Sequence, residues 1–182
     1  VPGAELAFRI TDLVAADPEA QIVVNCAGRT RSIIGTRILQ RMGLSNVVSL
    51  RNGTSGWSLA GLELERGADR VELPEVSAAG RARAEAFARQ VAKEDKVRLL
   101  SVEDLRDLMA KEDRVRYFID VRSTDEFQAG HIPGFWSVPG GQAVQRADDT
   151  VGIKASHVVF CCDDLVRAVV RSEEHTSELQ SL

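Results

Sequence analysis

A short loop near the start of the sequence carries the residue types that nucleophilic chemistry needs. It lies between an apolar run and a segment of helical periodicity, and its residues are Cys26, Ala27, Gly28, Arg29, Thr30 and Arg31. In such a loop, successive backbone N–H groups can point inward and bind an anion. The same dipoles, together with guanidinium groups, stabilise a thiolate. The loop therefore predicts a nucleophilic Cys26 in an anion-binding cradle. A cysteine that only packs at the end of a strand is the alternative.

The passage that leads to this cysteine occurs twice in the chain. Val1-Pro2-Gly3-Ala4 begins 25 positions before Cys26, and Val138-Pro139-Gly140-Gly141 begins 24 positions before Cys162. An arginine follows five positions after each of the two cysteines. The repeat predicts two copies of a unit that presents a thiol at the carboxyl end of a β-strand. Each copy has flanking sequence that the other lacks, so we expect the back half of one domain joined to the front half of the next.

The second loop carries the opposite charge. Its residues are Cys162, Asp163, Asp164, Leu165, Val166 and Arg167. Two carboxylates beside a thiol disfavour its thiolate and repel an anionic substrate. Leu165 also stands where a turn of this kind favours glycine. We predict that this loop is inactive and structural, and that the neighbouring Cys161 is a core residue of its strand.

The elements that position these loops are visible as apolar runs that alternate with helical periodicity. Strands are predicted at residues 22–25, 47–50, 117–120 and 156–161, and helices at 32–42, 54–59, 78–94 and 124–129. Thr54 and Ser101 are predicted helix caps. The stretch between Ala4 and Ile22 shows no strong apolar period, and the composition of residues 78–94 predicts a mostly solvated connecting helix. Strands that alternate with helices favour βαβ units and a parallel sheet.

Composition excludes several classes of function. The 182 residues are 44% hydrophobic and 27% charged, which is ordinary for a globular chain. A formal net charge of -4 without a basic block gives no electrostatic footprint for nucleic acid. No apolar run approaches the roughly 18 residues that a membrane span needs. Three cysteines, two of them adjacent, form neither a disulfide framework nor a metal-ligand spacing. We therefore expect no metal, no cofactor and a reducing, cytoplasmic compartment.

Several longer motifs carry a family resemblance. The first loop, followed by Ser32, Leu50-Arg51-Asn52-Gly53 and Trp57, resembles the active-site loop and C-terminal half of a rhodanese domain. The N-terminal half of the same domain is resembled by three further strings, Ile119-Asp120-Val121-Arg122, Asp125-Glu126-Phe127 and Gly130-His131-Ile132-Pro133-Gly134. The resemblance covers residues 1–67 and 98–168 and is greatest to bacterial proteins with tandem rhodanese domains.

The resemblance implies a fold and a domain organisation. We expect an α/β fold with a parallel sheet flanked by helices, in two incomplete tandem domains. Residues 1–70 would be the C-terminal half of one domain, residues 71–97 a helical linker, and residues 98–170 the N-terminal part of a second domain. Residues 171–182 match the translation of a sequencing adapter and are expected to be read-through. Further rhodanese domains are expected in the parent chain, and residues 1–182 by themselves are expected to be poorly active.

The resemblance also implies sulfur transfer through a persulfide on Cys26. The loop would bind a small anionic donor such as thiosulfate, and a thiol or cyanide would accept the sulfur. Arg29 and Arg31 would attract the donor, and Thr30 would either add a hydroxyl donor or cap the following helix. The loop departs from the Gly-Val-Thr type of mercaptopyruvate-using relatives, which favours thiosulfate or a protein persulfide as the donor.

Two other functions and three side-chain roles complete the expectations. A cysteine phosphatase shares the architecture, but its loop encloses five residues, whereas four lie between Cys26 and Arg31. An inert interaction module is the other alternative, and the acidic second loop would suit it. His131 is predicted to bond to backbone in a rigid turn rather than act as a base. Trp57 is predicted to pack in the core, and Asp120 and Arg122 to form an ion pair.

Overall fold

Helices alternate with short parallel strands in the computed structural model, which describes residues 3–28, 30–67, 73, 75–139, 151–153 and 156–170. The chain divides into two compact units, Val1–Ala84 and Glu85–Leu182. Arg29 and the predicted read-through segment at residues 171–182 lie outside the described residues.

The first unit places two parallel strands beside helices. Its elements are α1 (Gly3–Leu13), β1 (Ile22–Val24), α2 (Thr30–Arg41), β2 (Val47–Ser49) and α3 (Gly53–Leu59). β1 and β2 pair in parallel, with Ile22 opposite Val47 and Val24 opposite Ser49. Ile10, Leu39 and Val47 form the buried centre of the unit. Because parallel strands run in the same direction, β1 and β2 present their carboxyl ends at one edge, where the first cysteine loop begins.

Helix α1 lies where the sequence showed no strong apolar period. Ala7 and Ile10 are buried on it, and Leu6 packs against the same core. These residues follow a helical spacing of three and four. The helix was missed because polar and small residues interrupt its apolar face, so the pattern is weak without the partner helix α2.

Helix α4 (Ala78–Glu94) has the predicted bounds and is mostly exposed, but one of its faces is buried. Five of its side chains are buried, namely Ala84, Phe87, Ala88, Val91 and Ala92. They recur at the spacing of one helical face. The composition of the helix did not show this buried face, because three of its five residues are alanines set among many Arg and Glu residues.

The second unit is built around a parallel sheet of three strands. Besides the end of α4 it contains α5 (Val102–Met109), β3 (Arg116–Asp120), α6 (Thr124–Ala129), β4 (Trp136–Ser137) and β5 (His157–Cys161). The strand order is β4-β3-β5, and both pairs are parallel. Register places Asp120, the last residue of β3, opposite Cys161, the last residue of β5. The α/β class with parallel strands is thus confirmed.

Helix caps decide where several of these helices begin. Ser101 caps α5, and its hydroxyl and the Asp104 carboxylate form a capping box. Ser123 and Glu126 do the same for α6. Thr54 is not the cap of α3, because that helix begins at Gly53 after Asn52, whose backbone is left-handed with a φ of 59°. The prediction for Ser101 is confirmed, and the prediction for Thr54 is wrong.

Candidate functional site

Cys26 lies two residues beyond the end of β1, in the loop that leads into α2. Its side chain is half-buried, and its Sγ lies 3.4 Å from the hydroxyl oxygen of Ser32 in the first turn of α2. The Ser49 hydroxyl, at the end of β2, donates a 2.9 Å hydrogen bond to the same Ser32 oxygen. The sulfur therefore sits at the carboxyl edge of the sheet, in contact with a buried hydroxyl.

The surroundings of Cys26 favour its thiolate. Burial by itself raises the pKa of this thiol, but the hydrogen bonds from the Ser32 hydroxyl and from the backbone N–H groups of Ser32 and Gly28 lower it. The positive charge of Arg31 lowers it further, and the net result is a pKa below the usual value for cysteine. A thiolate with hydrogen-bond donors around it is the form of cysteine that acts as a nucleophile.

The N-terminus of α3 is hydrogen-bonded to the backbone of the cysteine loop. The backbone N–H of Thr54 donates to the Cys26 carbonyl at 2.9 Å, and that of Ser55 donates to the Ala27 carbonyl at 3.0 Å. The Ser55 hydroxyl also donates to the Ala27 carbonyl, at 2.6 Å. In a trans peptide the C=O and the following N–H point in opposite directions. Fixing these two carbonyls on α3 therefore turns the N–H groups of Ala27 and Gly28 away from α3, and the Gly28 N–H bonds to the sulfur.

Gly53 makes this close approach possible. Its φ is +57°, and a Cβ at this position would lie 2.0 Å from the Cys26 carbonyl oxygen and 2.8 Å from that of Gly28. Any other residue would push the loop off α3. The sequence placed Gly53 in a motif without a role, and it gave no role to Ser49 or Ser55. The signal that could have found these residues is their position after β2, the predicted strand that follows β1 in the chain.

The structure brings together most of the predicted loop residues. Gly28 and Arg31 both stabilise the thiolate of Cys26, and Ser32, which was not in the predicted set, does the same. Ala27 is exposed and contributes its carbonyl to the contact with α3. Thr30 is exposed at the first residue of α2. Arg29, the remaining residue of the loop, lies outside the described residues.

The second cysteine loop has a different electrostatic environment. Burial, followed by the negative charge of Asp164, raises the pKa of Cys162 to about 11. Burial also raises the pKa of Cys161 to about 12, and the charge of Asp120 adds to the effect. Cys161 is half-buried at the end of β5 rather than fully buried in the core. Both thiols are therefore protonated at neutral pH and are poor nucleophiles.

The cation of this second loop is already paired. The Arg167 guanidinium binds the Asp164 carboxylate and donates to both Glu126 oxygens, at 2.9 and 3.0 Å. Asp164 also accepts the backbone N–H of Arg167 at 2.9 Å. Leu165 adopts a φ of +62°, the backbone region that favours glycine. The carboxylates of Asp164 and Glu126 thus already pair with the Arg167 guanidinium, the group that an anionic substrate would need to bind.

Arg122 joins the strand end to this loop. It donates to the buried Asp120 carboxylate at 2.7 Å, so the expected ion pair is present. The same guanidinium lies 3.3 Å from an Asp163 oxygen and donates to the Gly130 carbonyl at 2.8 Å. Hydrogen bonding to Asp120 raises the pKa of Arg122. The network stabilises the loop and leaves its arginines engaged by carboxylates.

Two side chains with possible chemical roles have structural ones. His131 stacks on the Phe127 ring with centroids 3.8 Å apart, and its Nδ1 lies 3.0 Å from the Phe127 carbonyl oxygen. This agrees with the predicted backbone contact. Trp57 is 43% exposed, and its indole N–H donates to the Glu63 carbonyl at 2.8 Å. The prediction that Trp57 packs in the core is therefore wrong, since α3 contacts the cysteine loop through its N-terminal residues and leaves the indole partly exposed.

Within the described ranges, His, Cys, Asp and Glu side chains form no group of three that could hold a metal ion. Across those ranges, too, every helix falls short of the length and apolarity needed to cross a membrane.

Comparison with known proteins agrees with the geometry. The model of the rhodanese-like domain family matches residues 1–60 and 101–177. A crystal structure of a thiosulfate sulfurtransferase from Pseudomonas aeruginosa is similar with a TM-score of 0.89 and 44% identity, over 97% of this chain and 33% of that chain. A 3-mercaptopyruvate sulfotransferase, SseA from Escherichia coli, is 22% identical over 92% of this chain and 67% of that one, with a TM-score of 0.34. No curated protein matches the chain significantly. The chain spans about a third of the length of the Pseudomonas protein.

Proposed function

Because the chain belongs to the rhodanese-like domain family, we propose that it takes part in sulfur transfer through a persulfide on Cys26. The Cys26 thiolate attacks the outer sulfur of an anionic donor such as thiosulfate. The new S–S bond forms as the bond within the donor breaks, and sulfite leaves with the electron pair. Cyanide or a thiolate then attacks the terminal sulfur, which releases the product and restores the Cys26 thiolate.

The observation that carries this proposal is the set of donors around one sulfur. Hydrogen bonds from Ser32 and Gly28 and the charge of Arg31 all favour a negative sulfur at Cys26. The same groups would stabilise the terminal sulfur of a persulfide anion, because charge developing in a site with preorganised donors is stabilised without reorganisation. Arg31, exposed at the start of α2, would also attract the anionic donor.

We assign different roles to the two loops. Cys26 is the proposed nucleophile, and Ala27, Gly28, Arg29, Thr30 and Arg31 form the proposed donor-binding loop. The loop at Cys162 is proposed to be inactive, which is supported by its raised pKa and by the pairing of Arg167 with carboxylates. The proposed division into domain parts at residues 1–70 and 98–170, with a linker at 71–97, is supported by a family match in two separate segments.

We also propose a donor and a compartment. The Pseudomonas structure is of a thiosulfate sulfurtransferase, and its similarity supports thiosulfate as the donor for this chain. Protein persulfides carry the same anionic terminal sulfur and are the second donor class. A reducing compartment such as the cytoplasm is proposed, since Cys26, Cys161 and Cys162 are all free and a nucleophilic thiol must stay reduced.

One assay pair tests the proposal against a phosphatase. Incubation with thiosulfate and cyanide is expected to yield thiocyanate, and hydrolysis of an aryl phosphate is not expected. Mass spectrometry after thiosulfate alone should find one added sulfur, about 32 Da, on the Cys26 peptide. Cys26→Ser should lose both signals, whereas Cys162→Ser, the matched control, should keep them. Phosphate release that depends on Cys26 would replace the proposal with the phosphatase.

A further inference from the structure

A chain of two hydroxyl groups leads from the second strand to the nucleophile. Ser49 Oγ donates to Ser32 Oγ at 2.9 Å, and Ser32 Oγ lies 3.4 Å from Cys26 Sγ. Ser32 is 1% exposed, so bulk water does not reach its side chain. Ser49 is half-buried at the end of β2. The contacts between these three side chains connect residues that are 6 and 17 positions apart.

The direction of the hydrogen bonds among Ser49, Ser32 and Cys26 follows from the charge on the sulfur. A serine hydroxyl has one proton to donate and lone pairs that accept. When Cys26 is a thiolate, the Ser32 proton is directed to the sulfur, and the Ser32 oxygen is left as an acceptor in a buried site. Ser49 supplies the proton that this oxygen accepts. Hydrogen bonds in series polarise one another, so the donor at the sulfur becomes stronger and stays in one rotamer.

The sheet sets the position of Ser49. It pairs in register with Val24, the last residue of β1, so it stands beside the strand that leads directly to Cys26. Leu50 continues the contact, because its backbone N–H donates to the Val24 carbonyl at 3.0 Å. The hydroxyl is therefore held on a rigid element rather than on the loop, which is the arrangement that keeps a supporting group in place.

We propose that Ser49 is a positioning residue for Cys26, which acts through Ser32 to keep a hydroxyl donor directed at the sulfur. This inference rests on the proposed role of Cys26 as the nucleophile. The Ser49 hydroxyl bonds to Ser32, and Ser32 is the residue that contacts the sulfur. Its effect is on the fraction of Cys26 that is thiolate and on the stability of the persulfide anion that replaces it.

The test measures the thiol rather than turnover. The rate of alkylation of Cys26 by iodoacetamide is followed against pH on the full chain, with the Cys26 peptide resolved by mass spectrometry. Cys161 and Cys162 titrate far above Cys26 and are resolved as a separate peptide. Arg31 is the described charged side chain that lowers the pKa of Cys26, and it is unchanged in every variant.

Ser49→Ala is expected to move the midpoint of the pH profile upward by about 0.2 to 0.7 pH unit, the effect of losing a cooperative contribution to one hydrogen bond. Ser32→Ala should move it further, and adding Ser49→Ala to Ser32→Ala should move it no more, because the path through Ser32 is already broken. Ser49→Thr keeps the hydroxyl and should keep the wild-type midpoint. Ser58→Ala, the same change at an exposed position of α3, is the control.

Two outcomes overturn the inference. One is an unchanged midpoint in Ser49→Ala, and the other is a Ser49→Ala effect that persists in full in the Ser32→Ala background. If Ser49→Ala does not fold, as judged by its thermal unfolding, the comparison of Ser49→Thr with Ser49→Val decides in its place. The thiocyanate assay on the wild-type chain tests the proposed function separately. An absence of sulfur transfer there and an unchanged alkylation midpoint in Ser49→Ala are therefore different results.

Discussion

Replacing Gly53 with alanine should disable Cys26 without touching it. The added Cβ would lie 2.0 Å from the Cys26 carbonyl oxygen, and real Cβ contacts of this kind do not fall below 3.0 Å. The atoms must therefore separate by at least 1.0 Å, the difference between these two distances. The obstacle is backbone on both sides, so no side-chain rotation relieves it. The hydrogen bonds from Thr54 and Ser55 to the cysteine loop lengthen together, because they join the same two segments.

The expected loss of activity is large. A displacement of about 1 Å in a catalytic group costs on the order of a hundredfold in rate. We therefore expect kcat/KM for thiosulfate to fall about a hundredfold in Gly53→Ala, measured as initial thiocyanate production. The pKa of Cys26 should rise toward its usual value at the same time, since the Gly28 N–H would no longer be aimed at the sulfur.

The control separates the contact from backbone strain. Gly61 has a φ of +77° in the same unit, but a Cβ there would meet nothing within 4 Å. Gly61→Ala therefore carries a strain of about 1–2 kcal/mol from the left-handed conformation without the clash, and it should keep nearly full activity. Equal activity in Gly53→Ala and Gly61→Ala, with both variants folded, would refute the reasoning that α3 positions the cysteine loop.

Three further predictions concern charge and the second loop. Arg31→Ala should lower kcat/KM for thiosulfate about tenfold, a loss of about 1.4 kcal/mol. Arg37→Ala, at an exposed position of the same helix, should leave kcat/KM unchanged. Equal kcat/KM values in the two variants would mean that the backbone donors alone bind the anion. Thiosulfate treatment should place the added sulfur on Cys26, and its appearance on Cys162 alone would contradict the assignment of the two loops. Hydrogen bonding to Arg167 lowers the pKa of Glu126 from 4.5 to about 2, so this carboxylate stabilises the fold above pH 4.5, and its contribution is lost as the pH falls toward about 2. In acid titrations followed by circular dichroism, Glu126→Gln should therefore lose less stability than the wild type between these two pH values. An identical acid profile in the two proteins would exclude this ion pair as the cause.

The elements that the sequence predicted well are those with a strong local signal. The helix at Thr124–Ala129 and the cap at Ser101 were both predicted, and in the structure each is set by residues that contact one another within a single turn. The strand at His157–Cys161 is likewise a continuous apolar run that ends at the cysteine. Signals of this kind survive without knowledge of the rest of the fold, because the interacting groups are neighbours in the chain.

The predictions that failed depended on what an element packs against. Helix α1 and the buried face of α4 carry their apolar residues among alanines, and only the presence of a partner surface makes such a face buried. Trp57 was predicted to pack in the core, but α3 turns its N-terminus to the cysteine loop and leaves the indole bonded to the Glu63 carbonyl. Propensity and hydrophobicity are weak guides wherever tertiary contacts decide the orientation.

The sequence by itself determined the candidate loop and its proposed nucleophile, since Cys26, Gly28, Arg31 and Ser32 lie within one short strand-to-helix turn that brings them around one point. It also determined that the loop at Cys162 would be a poor thiolate site, because Asp164 is too close in the chain to be avoided. Tertiary structure alone decided which distant groups support the site. Ser49 and Gly53 act on the loop only because parallel pairing of β1 with β2 brings them there, and a register change of one residue would turn the Ser49 hydroxyl to the opposite face of the sheet.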